Sequence, residues 1–240
     1  MRLVGHKGAD AIETGNTIAS FEAAVEAGVD MIEFDVLWLR DGHPRLPAGE
    51  RSPLVVAHDW SDAGAREPLT LDAALEAFTR PPLDRVEIDL DLKLAGREEE
   101  VVAALREHDL VERAMTSGME ASSVHRLREL APDLRRGWTF PKVTRDWRRK
   151  RWARPLVAGG LLTLRRRAPA IAAHGIERLQ PAAIWVLHDV VTRRLTGVTA
   201  ARGVELIAWT VDDPERMRRL AELGVDGICS NDPRLFAAVA

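Results

Sequence analysis

The sequence is poor in the features that mark secreted or membrane proteins. Its one cysteine, Cys229, has no partner within the chain, so an internal disulfide is excluded and a reducing compartment fits. No apolar run approaches the ~20 residues that a membrane span requires. Met1 to His6 contain no apolar stretch of signal-peptide length. These absences predict a cytoplasmic protein. Net charge is also slight, at a formal -3, so no nucleic-acid partner is expected. No linker-like stretch divides the chain, which predicts a single domain over residues 1–240.

What is present is a large apolar fraction, 46% of 240 residues, enough to bury a sizeable core. The most informative stretch is Met31-Ile-Glu-Phe-Asp35. Read as a strand, it puts Glu33 and Asp35 on one face and Ile32, Phe34 and Val36 on the other. Two adjacent carboxylates repel and raise each other's pKa unless a cation sits between them. A hard divalent ion such as Mg²⁺ or Ca²⁺ suits that oxygen pair, whereas an amphipathic edge strand would need no ion.

Arg2 to Gly5 reads as a strand ending in His6-Lys7-Gly8, with Asn16 capping a helix that Gly28 stops. Leu54 to Ala57 is an apolar run ending in His58-Asp59. Val86 to Lys93 alternates with period two, setting Glu87, Asp89, Asp91 and Lys93 on one face. Helices are expected at 69–78, 98–107, 121–130, 165–174 and 186–202. Strands are expected at 114–117, 134–140, 176–180, 204–211 and 227–230. Pro214 opens a last helix to Leu223. Gly224-Val-Asp repeats the earlier Gly28-Val-Asp, each between a helix end and a strand. About eight strands alternating with helices predict an α/β fold, a (β/α)₈ TIM barrel, with functional groups at the strands' C-terminal ends.

Charge is uneven. Residues 135–167 hold twelve Lys or Arg and one acid, Asp146, with Trp138, Trp147 and Trp152 among them. Basic residues beside Trp fit contact with an anionic membrane surface; a solvated loop is the other reading.

Several short motifs then fall in order: His6-Lys7-Gly8, Gly15-Asn16-Thr17, Ile32-Glu33-Phe34-Asp35-Val36, Asp41-Gly42, Val55-Val56-Ala57-His58-Asp59, Asp91-Leu92-Lys93, Trp209-Thr-Val-Asp and Gly224-Val-Asp-Gly-Ile228. Together they resemble the glycerophosphodiester phosphodiesterase family, from residue 4 to 233 and least across 140–175. The resemblance implies a TIM barrel with a small insertion after the second strand, carrying His58, and makes the strand ending in Lys93 the third. It implies one divalent metal ion, Mg²⁺ or Ca²⁺, held by Glu33, Asp35 and Asp91, and an acid–base pair of His6 and His58. Lys7 and Lys93 match phosphate-binding positions, and Trp209 would wall the substrate's glycerol or head group. The implied reaction hydrolyses a small-molecule glycerophosphodiester to glycerol 3-phosphate and an alcohol.

Three positions depart from the family pattern. Asp91 stands where Glu is usual, and Lys7 where Arg is usual. Thr14-Gly15-Asn16-Thr17 replaces Pro-Glu-Asn-Thr, leaving Glu13 as the nearest substitute for the lost Glu. Lysine neutralises phosphate as a point charge, without arginine's bidentate fork. The alternatives are a lysophospholipase D-type hydrolase at a membrane surface, another metal-dependent barrel enzyme such as a sugar-phosphate lyase, and a non-catalytic phosphate- or phospholipid-binding barrel.

Overall fold

The computed structural model describes residues 1–142 and 154–239. Eight parallel strands close into a barrel. In chain order these are β1 (Arg2–His6), β2 (Met31–Trp38), β5 (Glu87–Leu92), β6 (Ala114–Gly118), β7 (Arg135–Phe140), β8 (Ala183–Leu187), β9 (Glu205–Trp209) and β10 (Gly227–Ser230). Pairing of β1 with both β2 and β10 completes the ring. Two short antiparallel strands, β3 (Leu54–Val56) and β4 (Leu69–Thr70), attach to the far end of β2. They frame the expected insertion, together with the short helix α2 (Trp60–Ala65).

The outer layer comprises α1 (Ile18–Glu26), α3 (Leu71–Phe78), α4 (Glu98–Glu107), α5 (Ala121–Leu130), α6 (Arg154–Leu179), α7 (Arg193–Ala200) and α8 (Pro214–Leu223). A 3₁₀ segment, Pro233–Ala238, follows β10. Outward-facing Ile32, Phe34, Ile88 and Leu90 are buried against the helices. Phe34 lies 5.5 Å from Phe21 of α1 and 5.6 Å from Phe78 of α3, centroid to centroid.

The repeated Gly-Val-Asp does one job twice. Gly28 and Gly224 take the left-handed conformation (φ 81° and 82°) that ends α1 and α8. Asp30 then accepts the Leu3 N–H at 2.7 Å, and Asp226 accepts the Leu206 N–H at 2.8 Å. Each aspartate secures the start of a neighbouring strand.

Inward-facing residues form layers. At the N-terminal end, Arg2 pairs with Glu87 and with Glu205 (3.3 Å), and Arg135 pairs with Glu87 (2.9 Å). The middle is filled by Val4, Met31, Met115, Trp185, Ile207 and Cys229, all buried. The acids and His6 lie above them, towards the C-terminal end.

Some expected elements differ. Thr17, not Asn16, caps α1, its hydroxyl accepting the Ser20 N–H at 3.2 Å. Residues 176–180 belong to α6 and the turn after it, because Ala168, Ala172, Ile176 and Leu179 extend one buried helical face. The strand begins after Pro181, in the β-forming run Ile184-Trp-Val-Leu187, so 186–202 is not one helix. Trp147 and Trp152 lie outside the described residues.

Candidate active site

Strand register brings the acids together. Glu33 pairs with His6 on one side and Asp89 on the other, and Asp35 pairs with Asp91. Adjacent strands lie ~4.8 Å apart, so these side chains share one small volume inside the barrel. Glu33, Asp35 and Asp91 each offer a carboxylate oxygen within 4.8 Å of the other two, and all three residues are buried.

The Lys93 ammonium lies against both Asp35 and Asp91. It serves as a stand-in cation: two carboxylates of this cluster already share one positive charge. Burial lowers the Lys93 pKa, but Asp35, Asp91 and Glu33 outweigh it and hold the group well above its ordinary value. Burial and the charge on Asp35 push Glu33 well above the usual carboxylate range. Burial would raise Asp35 too, yet Lys93, then His58 and His6, draw it below its ordinary value. Three hard oxygen donors, one of them short of a cation, fit a Mg²⁺- or Ca²⁺-type ion. The shorter Asp91 still reaches the cluster.

Asn16 is missed as a site residue when read as a helix cap. It is buried in the left-handed conformation (φ 61°). Its amide donates to Asp35 Oδ2 at 2.7 Å, and its carbonyl accepts the Asp35 N–H at 3.1 Å. Its place in Gly15-Asn16-Thr17 was the available signal. Glu33 accepts the Lys7 N–H at 3.0 Å.

Two of the departures are linked through Asp10. The Lys7 ammonium sits 2.5 Å from Asp10 Oδ2, while Asp10 Oδ1 accepts the Gly15 N–H at 2.9 Å. A Cβ at Gly15 would lie 2.3 Å from that oxygen. A glutamate at this position cannot coexist with Asp10 as placed. Glu13 is exposed, and nothing brings it to the acid cluster.

His6 faces the cluster, its Nε2 3.9 Å from Glu33 Oε2, and its Nδ1 lies 2.6 Å from Asn231 Oδ1. Burial lowers its pKa, with Asp35 opposing. His58 is more open, with 54% of its side chain exposed. Its N–H donates to Asp62 Oδ2 (3.0 Å), and its Nδ1 lies 3.1 Å from Asp59 Oδ2. Arg66 ties this insertion to the Asn16 loop, pairing with Asp62 (3.2 Å) and donating to the Gly15 carbonyl (3.0 Å). Trp209 ends β9 at the same mouth, partly buried.

Asp89 and Glu87 do not join the cluster. Asp89 lies level with Glu33, two residues before Asp91, and accepts from Ser117 Oγ at 2.6 Å. Glu87 belongs to the ion pairs at the other end.

The basic block divides. Arg135 is paired with Glu87, and Arg136 donates to backbone carbonyls, including Leu134's at 2.8 Å. Trp138 is half-buried, its ring 5.5 Å from that of Phe140 and against Gly175 of α6. Arg165, Arg166 and Arg167 are exposed. No helix of the described residues is long and apolar enough to cross a membrane.

Residues 6–47 and 73–235 match the glycerophosphoryl diester phosphodiesterase family. The chain belongs to that family. It is a phosphoric diester hydrolase, as the family's name states. The unmatched segment, 48–72, covers much of the insertion, including His58 and Arg66. The chain is 26% identical to a glycerophosphodiester phosphodiesterase of Caldanaerobacter subterraneus subsp. tengcongensis, across 96% of this chain and 94% of that protein. In fold it is similar to a glycerophosphodiester phosphodiesterase from Parabacteroides distasonis, at 17% identity and TM-score 0.72, covering 100% of this chain and 98% of the other. It is similar also to an Oleispira antarctica phosphodiesterase solved with the product sn-glycerol-3-phosphate (18% identity, TM-score 0.69, covering 100% and 96%).

Proposed function

We propose that this chain hydrolyses glycerophosphodiesters to glycerol 3-phosphate and an alcohol, using a divalent ion and two histidines. The observation that carries the reading is the buried carboxylate trio beneath His6, with the Lys93 ammonium against two of its members. The product in the Oleispira antarctica relative supports the substrate class.

Glu33, Asp35 and Asp91 would hold the ion, and Asn16 keeps Asp35 aimed. When bound, Mg²⁺ or Ca²⁺ supplies charge neutralisation at a phosphoryl oxygen. Lys93 and Lys7 add positive charge where negative charge grows in the transition state. One imidazole takes the proton from the attacking oxygen, and the other returns one to the leaving alkoxide. The open position of His58 suits contact with a departing group; His6 sits deeper, next to Glu33. Trp209 offers an apolar wall for the glycerol or head group. A cytoplasmic setting agrees with the lone, buried Cys229.

Glycerol 3-phosphate release from several glycerophosphodiesters, with each metal in turn, tests this reading. Release should need Mg²⁺ or Ca²⁺ and stop in chelator. Glu33→Ala and His58→Ala should each abolish it in a folded protein. Activity surviving either change removes the proposal, and tight binding without turnover would make the barrel a sensor.

A lysophospholipase D-type activity at an anionic surface is the second reading. Half-exposed Leu162 and exposed Arg165–Arg167 on α6 favour it. Co-sedimentation with liposomes that depends on acidic lipid would support it, and indifference to acidic lipid would end it.

A further inference from the structure

Asn231 lies one residue beyond β10 at the mouth of the barrel, and Asp212 lies three residues beyond β9. Asp212 Oδ2 receives the Asn231 side-chain N–H at 2.6 Å. Its Oδ1 receives the Asn231 backbone N–H at 2.8 Å and the Ser230 hydroxyl at 2.9 Å. The carboxylate is therefore held by three donors. An ionised carboxylate only accepts, so the asparagine must turn its NH₂ towards Asp212. That leaves Asn231 Oδ1 facing His6 Nδ1 at 2.6 Å. A carbonyl oxygen only accepts as well, so the ring hydrogen must lie on Nδ1.

We propose that Asp212 and Asn231 are positioning residues that fix the His6 ring hydrogen on Nδ1, leaving Nε2 as the nitrogen that exchanges a proton with substrate. Nε2 is the atom that faces Glu33. The hydrogen-bond chain runs one way, from Asp212 through Asn231 to His6. Reversing the asparagine would set an NH₂ against Nδ1 and a carbonyl oxygen against a carboxylate. His6 would then carry its hydrogen on Nε2, with no lone pair towards the acids. His58 has a simpler arrangement, with its own neighbour Asp59 at Nδ1. The catalytic half of the proposal rests on the acid–base role proposed above for His6; the tautomer half does not.

The test is ¹⁵N NMR of histidine-labelled full-length protein at alkaline pH, where imidazoles are neutral. The His6 signals are those lost in His6→Gln. Wild type should show a protonated Nδ1 and a bare Nε2. Asp212→Asn should exchange the two patterns: the introduced amide would donate where the carboxylate accepted, forcing the Asn231 amide to turn. Asn231→Ala should release the ring to a mixture of tautomers. The exchanged pair, Asp212→Asn with Asn231→Asp, restores an acceptor at Nδ1 held by an amide donor, and should return the wild-type pattern. In the diesterase assay, Asp212→Asn should lower kcat at least about 10- to 100-fold with KM nearly unchanged, the scale seen when a partner that orients a metal-bound histidine is removed. The exchanged pair should recover most of that loss.

A wild-type hydrogen on Nε2 overturns the proposal. So does an Asp212→Asn spectrum that keeps Nδ1–H, or an exchanged pair that stays shifted. The wild-type spectrum decides the tautomer even where a variant fails to fold. A diesterase-inactive wild type with Nδ1–H would overturn the catalytic reading and leave the hydrogen-bond relay standing.

Discussion

Glu33 and Asp35 lie two residues apart at similar depth, yet their carboxyls shift in opposite directions. The difference is Lys93, whose ammonium reaches Asp35 but not Glu33. Asp89 behaves like Glu33: burial raises it, Ser117 pulls it back in part, and the charge on Asp91 raises it again. A carboxyl with a raised folded pKa stabilises the fold fully below its unfolded value, near pH 4. That contribution is lost as pH rises through the folded value. Asp35 acts in the reverse sense and loses its contribution as pH falls. Metal-free protein should therefore weaken as pH climbs above the ordinary carboxylate range. Asp89→Asn removes one of the two opposing acids. In chelator it should gain about 1–3 kcal/mol at neutral pH, the scale of one poorly satisfied buried polar group. Urea melts from about pH 5 to about pH 8 would measure this. An unchanged slope of stability against pH would show that Asp89 is not the group responsible.

The loop between β1 and α1 carries two of the three departures from the family pattern, and Asp10 accounts for both. It pairs with the Lys7 ammonium and occupies the space where a side chain at position 15 would begin. Gly15→Ala should cost about 1–3 kcal/mol, as small-to-large changes in tight places do. Adding Asp10→Ala should recover part of that cost, giving a non-additive double-mutant cycle. Additive costs would mean that Asp10 and Gly15 do not constrain each other. The same loop sets Asn16 on Asp35, so Gly15→Ala should also weaken Mg²⁺ binding, read by calorimetry. Arg66 braces this loop from the insertion, and Asp62 joins Arg66 to the His58 backbone. The element carrying the exposed histidine and the element that holds the Asp35 carboxylate are thus one connected unit.

The barrel has two polar ends with different tasks. Arg2, Glu87, Arg135 and Glu205 close the N-terminal end with ion pairs of matched sign. The C-terminal end gathers three buried carboxylates around one ammonium, that of Lys93. A middle layer of apolar side chains separates the two. Arg135→Ala should lower stability by only about 0–1 kcal/mol, because Glu87 keeps Arg2 as its partner, and leave kcat within about twofold of wild type. Glu33→Ala should do the opposite, removing activity while the melting temperature holds or rises. Thermal melts beside the diesterase assay would check both. A large loss of kcat in Arg135→Ala would contradict the separation of the two ends.

Much of the molecule follows from local order in the chain. The period-two run from Val86 to Lys93, the Gly-Val-Asp turns and the histidines at strand ends specify strands, stops and a polar mouth, because side-chain direction along a strand alternates whatever surrounds it. That Glu33 and Asp35 share one face, and that Asp91 lies on the polar face of its strand, was legible for that reason. Residues 176–202 were not: short apolar segments suit helix and strand alike, and only packing against the barrel assigned 183–187 to a strand and extended α6 to Leu179. Partners distant in sequence were equally hidden. Asn16 with Asp35, Asp10 with Gly15, and Asp212 through Asn231 to His6 meet only when the ring closes, because a hydrogen bond depends on where two groups end up in space. Local sequence determined which chemistry the strand ends carry; closure of the barrel decided which oxygens share a cation and which nitrogen of His6 holds its hydrogen.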